Sequence, residues 1–312
     1  MRWLTATPRP DIIEVLKREL ELSNVLAHLL AARGIETPEE ARAFLHPTLG
    51  TFPDPSTMPQ LDEASERLAT AIRNQQTILI WGDYDVDGIT STVLLLSFIE
   101  DCGGAASYYL PHREDDGYGM NMPRAEQAVA EGVDLVVTVD CGTANHAVLR
   151  YLADAGVDVI VTDHHVLQGE HPPTFAFINP QRSDAPEAFR PLAGVGVAFL
   201  LVAGTRKAIG PGGRTPPLKS YLDVVALGTI ADMVPLQGLN RTLVHHGLVG
   251  WERPARPGLS ALKRVAGIED RILDSSAIAF AVGPRLNAAG RLDHASRSVE
   301  LLRTRSFTEG MA

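Results

Sequence analysis

Cysteine is nearly absent from these 312 residues: only Cys102 and Cys141 occur, too few for a disulfide framework or a paired-cysteine zinc site. Long apolar runs are missing as well. The longest, around Ala193 to Gly204, is too short and too glycine-rich to span a bilayer. No apolar core of signal-peptide length precedes Asp11. The cytoplasm is therefore the expected location, with no membrane partner. Net positive charge is lacking too, the formal value being −10, which argues against a protein that grips nucleic acid over its whole surface. Residues 251–312 carry +3 and residues 1–250 carry −13, so charge alone leaves the partner undecided. Neither GxxxxGK[ST] nor GxGxxG after a strand occurs, which removes the P-loop and dinucleotide-binding readings.

What is present is ordinary globular material, 45% hydrophobic and 21% charged. Residues 11–47 read as short helices, with Thr37-Pro38-Glu39-Glu40 forming a capping box. A proline-rich linker, Pro47 to Pro59, precedes a helical pattern from Leu61 to Asn74. Short apolar runs then alternate with helix-length segments. The runs are Thr77–Trp81, Ser107–Leu110, Asp134–Val139, Asp158–Thr162 and Phe175–Asn179. The helical segments lie near Thr90–Cys102, Met122–Glu131, Thr143–Ala155, Ala193–Ile209 and Leu218–Leu227. This alternation predicts an α/β fold with a mostly parallel sheet and helices on both faces. The expected division is a helical N-terminal segment and linker (1–60), an α/β domain (61–240) and a helical region (241–312).

In open parallel sheets, ligands bind beyond the carboxyl ends of the strands. One run leads into Gly82-Asp83-Tyr84-Asp85-Val86-Asp87-Gly88, another into Asp140-Cys141-Gly142, a third into Asp163-His164-His165. A single aspartate after a strand is usually a helix cap. Three strand ends on one rim, however, rarely need so many ionisable groups for structure, because unpaired carboxylates repel and are costly to desolvate. Divalent cations remove that cost. Oxygen ligands suit Mg²⁺ or Mn²⁺ and imidazole favours Mn²⁺ or another transition ion, while ligand type alone leaves zinc open. Two ions about 3.5–4 Å apart would activate a water and neutralise charge at a phosphoryl centre. Asp83-Tyr84-Asp85-Val86 also fits the DxDx[TV] shape of phosphoaspartyl phosphatases. That reading leaves His164 and His165 without work and needs a lysine that cannot be placed.

These motifs, followed by Gly228-Thr229-Ile230-Ala231-Asp232-Met233-Val234-Pro235-Leu236, resemble the four ordered motifs of the DHH phosphoesterases. Within that superfamily the wording Gly-Asp-Tyr-Asp-x-Asp-Gly and Pro284-Arg285-Leu286-Asn287-Ala288-Ala289-Gly290-Arg291 resembles the bacterial single-strand-specific 5′→3′ DNA exonucleases. So does Pro111-His112-Arg113 followed by Gly117-Tyr118-Gly119. The resemblance covers nearly the whole chain and implies a DHH-type fold acting on single-stranded DNA in repair and recombination with two Mn²⁺ or Mg²⁺ ions. It implies Asp83, Asp85, Asp140, His164 and Asp232 as metal ligands, with Asp140 the bridge. His165 would sit near the scissile phosphate as donor or acid, and Asp163 would orient an imidazole by accepting its other N–H. Arg113, Arg285 and Arg291, with Asn287, would hold substrate phosphates. Cys141 reads as a small buried residue, and His245-His246 as structural.

Members of that branch continue through a long helix to a second domain with a Gly-rich, His-containing motif, and nothing after Ser306 matches it. The expectation is a fragment with a complete metal site and an incomplete DNA grip, acting weakly and distributively. Two other readings stand beside it: a DHH phosphoesterase for short oligonucleotides, cyclic dinucleotides or pyrophosphate, and a catalytically silent binding module.

Overall fold

Apolar residues spaced three or four apart leave water only by meeting one another. In the N-terminal unit they do so through α1 (Pro10–Leu20), α2 (Asn24–Ala31) and α3 (Pro38–Leu45), which enclose Ile12, Leu16, Ala27, Leu30 and Ala41. The computed structural model describes residues 9–312 apart from 113–116, 118, 168, 253, 272 and 293, and leaves out the side chains of residues 291 and 292. It divides into two units, Met1–Phe52 and Pro53–Ala312. The capping box is present: Thr37 Oγ1 accepts from the Glu40 N–H at 3.2 Å, and Glu40 Oε2 accepts from the Thr37 N–H at 3.1 Å.

The second unit begins with α4 (Leu61–Arg73) and builds a parallel sheet. Along the chain follow β1 (Ile78–Trp81), α5 (Val86–Asp101), β2 (Ala106–Tyr109), α6 (Met122–Ala130), β3 (Leu135–Val139), α7 (His146–Asp154), β4 (Asp158–Thr162), β5 (Ala176–Ile178), α8 (Gly194–Ile209) and α9 (Leu222–Ala231). The strand order is β2-β1-β3-β4-β5. Side chains alternate across the sheet: Leu79, Trp81, Val136, Val159, Val161 and Phe177 pack with Ala125 and Ala128 of α6 and Leu149 and Leu152 of α7. The opposite face is covered by α4, α5 and α8. The chain leaves β1 for one edge and returns through β3 to the other, so the crevice of this topology opens between the carboxyl ends of β1 and β3.

Several boundaries differ from the sequence reading, two of them for a reason visible at the site. Helix α5 starts at Val86 rather than Thr90, because Asp85 Oδ1 accepts from the N–H groups of Asp87 and Gly88 at 2.9 and 3.0 Å and caps the helix. Helix α7 starts only at His146, because the Thr143 N–H donates instead to Asp163 Oδ2 at 3.0 Å.

Helix α9 is buried from Leu222 to Ile230 and so carries no amphipathic signature. Then come α10 (Gly238–Glu252), α11 (Pro257–Val265), α12 (Ser275–Ala277), a π-helical turn (Ile278–Val282), α13 (Gly283–Leu292), α14 (Ser296–Arg303) and α15 (Phe307–Met311). The close packing of α10 on α9 rests on Gly247, where an added Cβ would lie 2.1 Å from the Leu222 carbonyl oxygen. Gly247→Ala should therefore force the helices apart and cost roughly 1–3 kcal/mol. Urea denaturation measures this; an unchanged midpoint would show that α9 does not need the contact.

Candidate metal centre

Four elements deliver acidic or imidazole groups to the carboxyl rim of the sheet. Asp83 and Asp85 follow β1, Asp140 follows β3, Asp163-His164-His165 follow β4, and Asp232 ends α9. Asp140 holds φ at 59°, a left-handed bend seldom taken outside glycine, and its carboxyl is almost fully buried. His164 Nε2 lies 3.1 Å from Asp140 Oδ1, 3.7 Å from Asp232 Oδ2 and 3.9 Å from Asp87 Oδ2. Three sets of potential ligand atoms, each within 4.8 Å of one another, overlap here: Asp83–Asp85–Asp140, Asp140–His164–His165 and Asp87–His164–Asp232. Asp140 and His164 each belong to two sets, so the three form one continuous cluster.

Asp163 stands behind it. Its Oδ1 accepts from His165 Nδ1 at 2.7 Å and from the His164 N–H at 2.7 Å, while Oδ2 accepts from Thr143. Asp163 thus orients the imidazole of His165. Burial alone would raise this carboxyl, but the bonds from His165 and Thr143 outweigh it and hold it at about 2. The same bond raises His165 above the usual histidine range, whereas burial lowers His164. The other carboxylates move upward. Burial, then repulsion from Asp85, brings Asp83 to about 7 and Asp232 to about 6. Burial, then repulsion from Asp232 and Asp85, raises Asp87 well above the carboxylate range, and burial, then repulsion from Asp87 and Asp85, does the same to Asp140.

Two residues of the site were not picked out from the sequence. Asp87 is buried and accepts from the first N–H groups of α8, Gly194 to Oδ2 at 2.6 Å and Val195 to Oδ1 at 2.9 Å. Its signal was the third aspartate of Asp83-x-Asp85-x-Asp87, which also reads as an ordinary acidic first turn. Asn179, at the end of β5, donates to Thr143 Oγ1 at 3.0 Å and to the His165 carbonyl at 2.9 Å, bracing the histidine loop.

The expected substrate residues are placed unevenly. Arg113 and Tyr118 lie outside the described residues, as does the side chain of Arg291. Arg285 is exposed and donates to the Ala281 carbonyl of its own helical stretch. Asn287 Oδ1 accepts from the Val86 N–H at 3.2 Å, tying α13 to the loop after β1. Gly290 extends that seam, since a Cβ there would lie 3.2 Å from the Tyr84 carbonyl oxygen.

Residues 77–229 match the profile of the DHH family, N-terminal domain. The chain carries a DHH domain. Around it the likeness extends further: the chain is 37% identical over 302 residues to the single-stranded-DNA-specific exonuclease RecJ of Bacillus subtilis, covering 97% of this chain and 37% of that protein. The RecJ of Thermus thermophilus is 38% identical over 314 residues, covering 100% of this chain and 44% of that protein. The crystal structure of RecJ in complex with Mn²⁺ from Thermus thermophilus superposes with a TM-score of 0.83 at 34% identity, over 98% of this chain and 43% of that one. The chain thus spans less than half the length of these relatives.

The raised carboxylates set a pH dependence for the metal-free DHH domain. Asp83 and Asp232 take up protons on folding between the ordinary carboxylate range and about 7 and 6. Their contribution is therefore most favourable below about pH 4 and is lost as pH rises through those values. A divalent cation competes with the same protons. Mn²⁺ should accordingly raise Tm more at about pH 7.5 than at about pH 5.5. Thermal melts with EDTA or Mn²⁺ check this, and an equal shift at both values would contradict it.

Proposed function

We propose that this chain is the catalytic part of a metal-dependent exonuclease that hydrolyses phosphodiester bonds of single-stranded DNA from the 5′ end, in the cytoplasm, during repair and recombination. The observation that carries this reading is the single cluster of five aspartates and two histidines at the sheet's switch point, with Asp140 and His164 each shared between ligand sets. The name and Mn²⁺ complex of the RecJ relatives support the substrate and the metal.

The residues fit two Mn²⁺ or Mg²⁺ ions. Asp83 Oδ1 and Asp232 Oδ2 are buried and accept no hydrogen bond among the described residues, and the cluster's like charges need a counter-charge. Asp83, Asp85, Asp140, His164 and Asp232 would hold the ions, with Asp87 within reach of His164 and Asp232. Bound there, the ions would supply an activated water and charge neutralisation at the phosphate.

The remaining work falls to the chain. The Asp163 carboxylate bonds His165 Nδ1 and raises the imidazole above the usual histidine range, which favours the form that also carries a proton on Nε2. His165 is half exposed, which lets Nε2 donate to a phosphate oxygen or to the departing alkoxide. Asn287 positions the Asp83–Asp85 loop through Val86. Arg113, Arg285 and Arg291 would hold phosphates of the strand, the planar guanidinium fork suiting that task.

Purified chain with Mn²⁺ should progressively shorten a 3′-labelled single strand and leave blunt duplex intact. Asp140→Ala should remove both Mn²⁺ binding by calorimetry and hydrolysis. Asp163→Asn should keep the metal but reduce turnover by roughly 10- to 100-fold. Each arginine that contacts a phosphate should flatten the salt dependence by roughly 0.7 unit when replaced by alanine. Turnover confined to dinucleotides would move the reading to a small-substrate phosphoesterase, and absence of any metal-dependent turnover would leave a binding module.

A further inference from the structure

Two side chains at the cluster are explained neither by packing nor by metal binding. Val166 follows His165 and Met233 follows Asp232, and they are 73% and 88% exposed. Apolar side chains so placed gain almost nothing from burial. Met233 also holds φ at 62°, a left-handed conformation that glycine or asparagine adopts with less strain. Strain of this kind persists where something other than local stability maintains it. Both residues are one position beyond groups of the same cluster: His164 Nε2 lies 3.7 Å from Asp232 Oδ2, and His165 shares a ligand set with His164.

A nucleotide has chemistry to match this rim. Its phosphate is drawn to the cations that the carboxylates would hold, while its sugar and the faces of its base are apolar. With the phosphate at the cluster, the attached base must lie beside whatever borders the cluster. A flexible, polarizable thioether suits any of the four bases, because each presents a similar face. In a duplex those faces are covered by stacked neighbours; at the end of a single strand they are free.

We infer that Met233, with Val166 as the second apolar element, contacts the base or sugar of the nucleotide whose phosphate lies at the metal centre, and that this contact favours an unpaired strand end. The inference rests on the reading of the site as a single-strand nuclease centre. Met233 is then a positioning residue: it acts on how the substrate lies, not on the reacting atoms.

The test compares wild type and Met233→Gln, as the full chain with Mn²⁺, on two oligonucleotides. One is an ordinary single strand; the other has abasic residues at its two 5′-terminal positions. Removing the bases should raise the wild-type KM roughly fivefold to a hundredfold, the range that one stacked base represents. Met233→Gln should raise KM on the ordinary strand by a similar factor and lose little more when the bases are removed; Met233→Leu should restore most of the affinity. An equal Mn²⁺-induced rise in Tm for both proteins shows that the variant folds and keeps its metal site. A wild-type KM in Met233→Gln overturns the inference, and so does a variant that loses the full factor again on the abasic strand. If wild type fails to shorten any single strand, the nuclease reading itself is wrong and the contact falls with it, a result visible without the variant.

Discussion

The amino end of α8 rests directly on two buried carboxylates, and the rest of the centre depends on that contact. Asp87 accepts the N–H groups of Gly194 and Val195, while Gly194 lies so near Asp140 that an added Cβ would be 2.6 Å from Oδ1. A helix amino terminus carries roughly half a positive charge, and here that partial charge is fixed against carboxylates that repel one another. Without it, burying Asp87 and Asp140 together would cost on the order of several kcal/mol. The helix reduces the repulsion but does not cancel it, since both groups remain raised. What is left is a strong preference for cations.

The scaffold follows from the need to bring such groups to one place and keep them there. The reversal of strand order puts the ends of β1 and β3 next to each other, which sets Asp83 and Asp85 against Asp140. Helix α9 is buried on every side and therefore holds Asp232 rigidly at its end. From the other direction α13 closes on the loop after β1 through Asn287 and Gly290. Behind the histidines, Asp163 and Asn179 fix the loop after β4 by side-chain bonds to its backbone. Several groups that would touch an ion are thus supported by neighbours that do not.

Much of this was legible beforehand. Strand-end aspartates beside turn glycines mark a rim, and rim residues are the ones a parallel sheet can bring together. Asp83, Asp85, Asp140 and His164 accordingly meet in the structure, joined by Asp232 at the end of α9, which the motif resemblance and not the strand-end rule suggested. Asp87 escaped notice because an acidic residue in a first helical turn has an ordinary explanation. Asn287 shows the opposite difficulty. Its place in a motif suggested a phosphate contact, which would fall to its amide N–H groups, while the fold adds a second task, its carbonyl oxygen accepting from the Val86 N–H. Asp163 was expected to orient an imidazole, but only the folded loop selects His165 for its side-chain bond.

The division has a physical basis. Alternating apolar runs, helix caps such as Thr37 and turn glycines act over a few residues, so the sequence by itself determined the parallel α/β architecture and which side chains would stand at its rim. Partners remote along the chain were decided only by the tertiary structure. That α8 rather than another helix should cap Asp87, that α13 should grip Val86, and that Met233 should be left exposed beside Asp232 all depend on how buried helices pack across the sheet. Such packing is a compromise among many contacts at once, and no local pattern of residues encodes it.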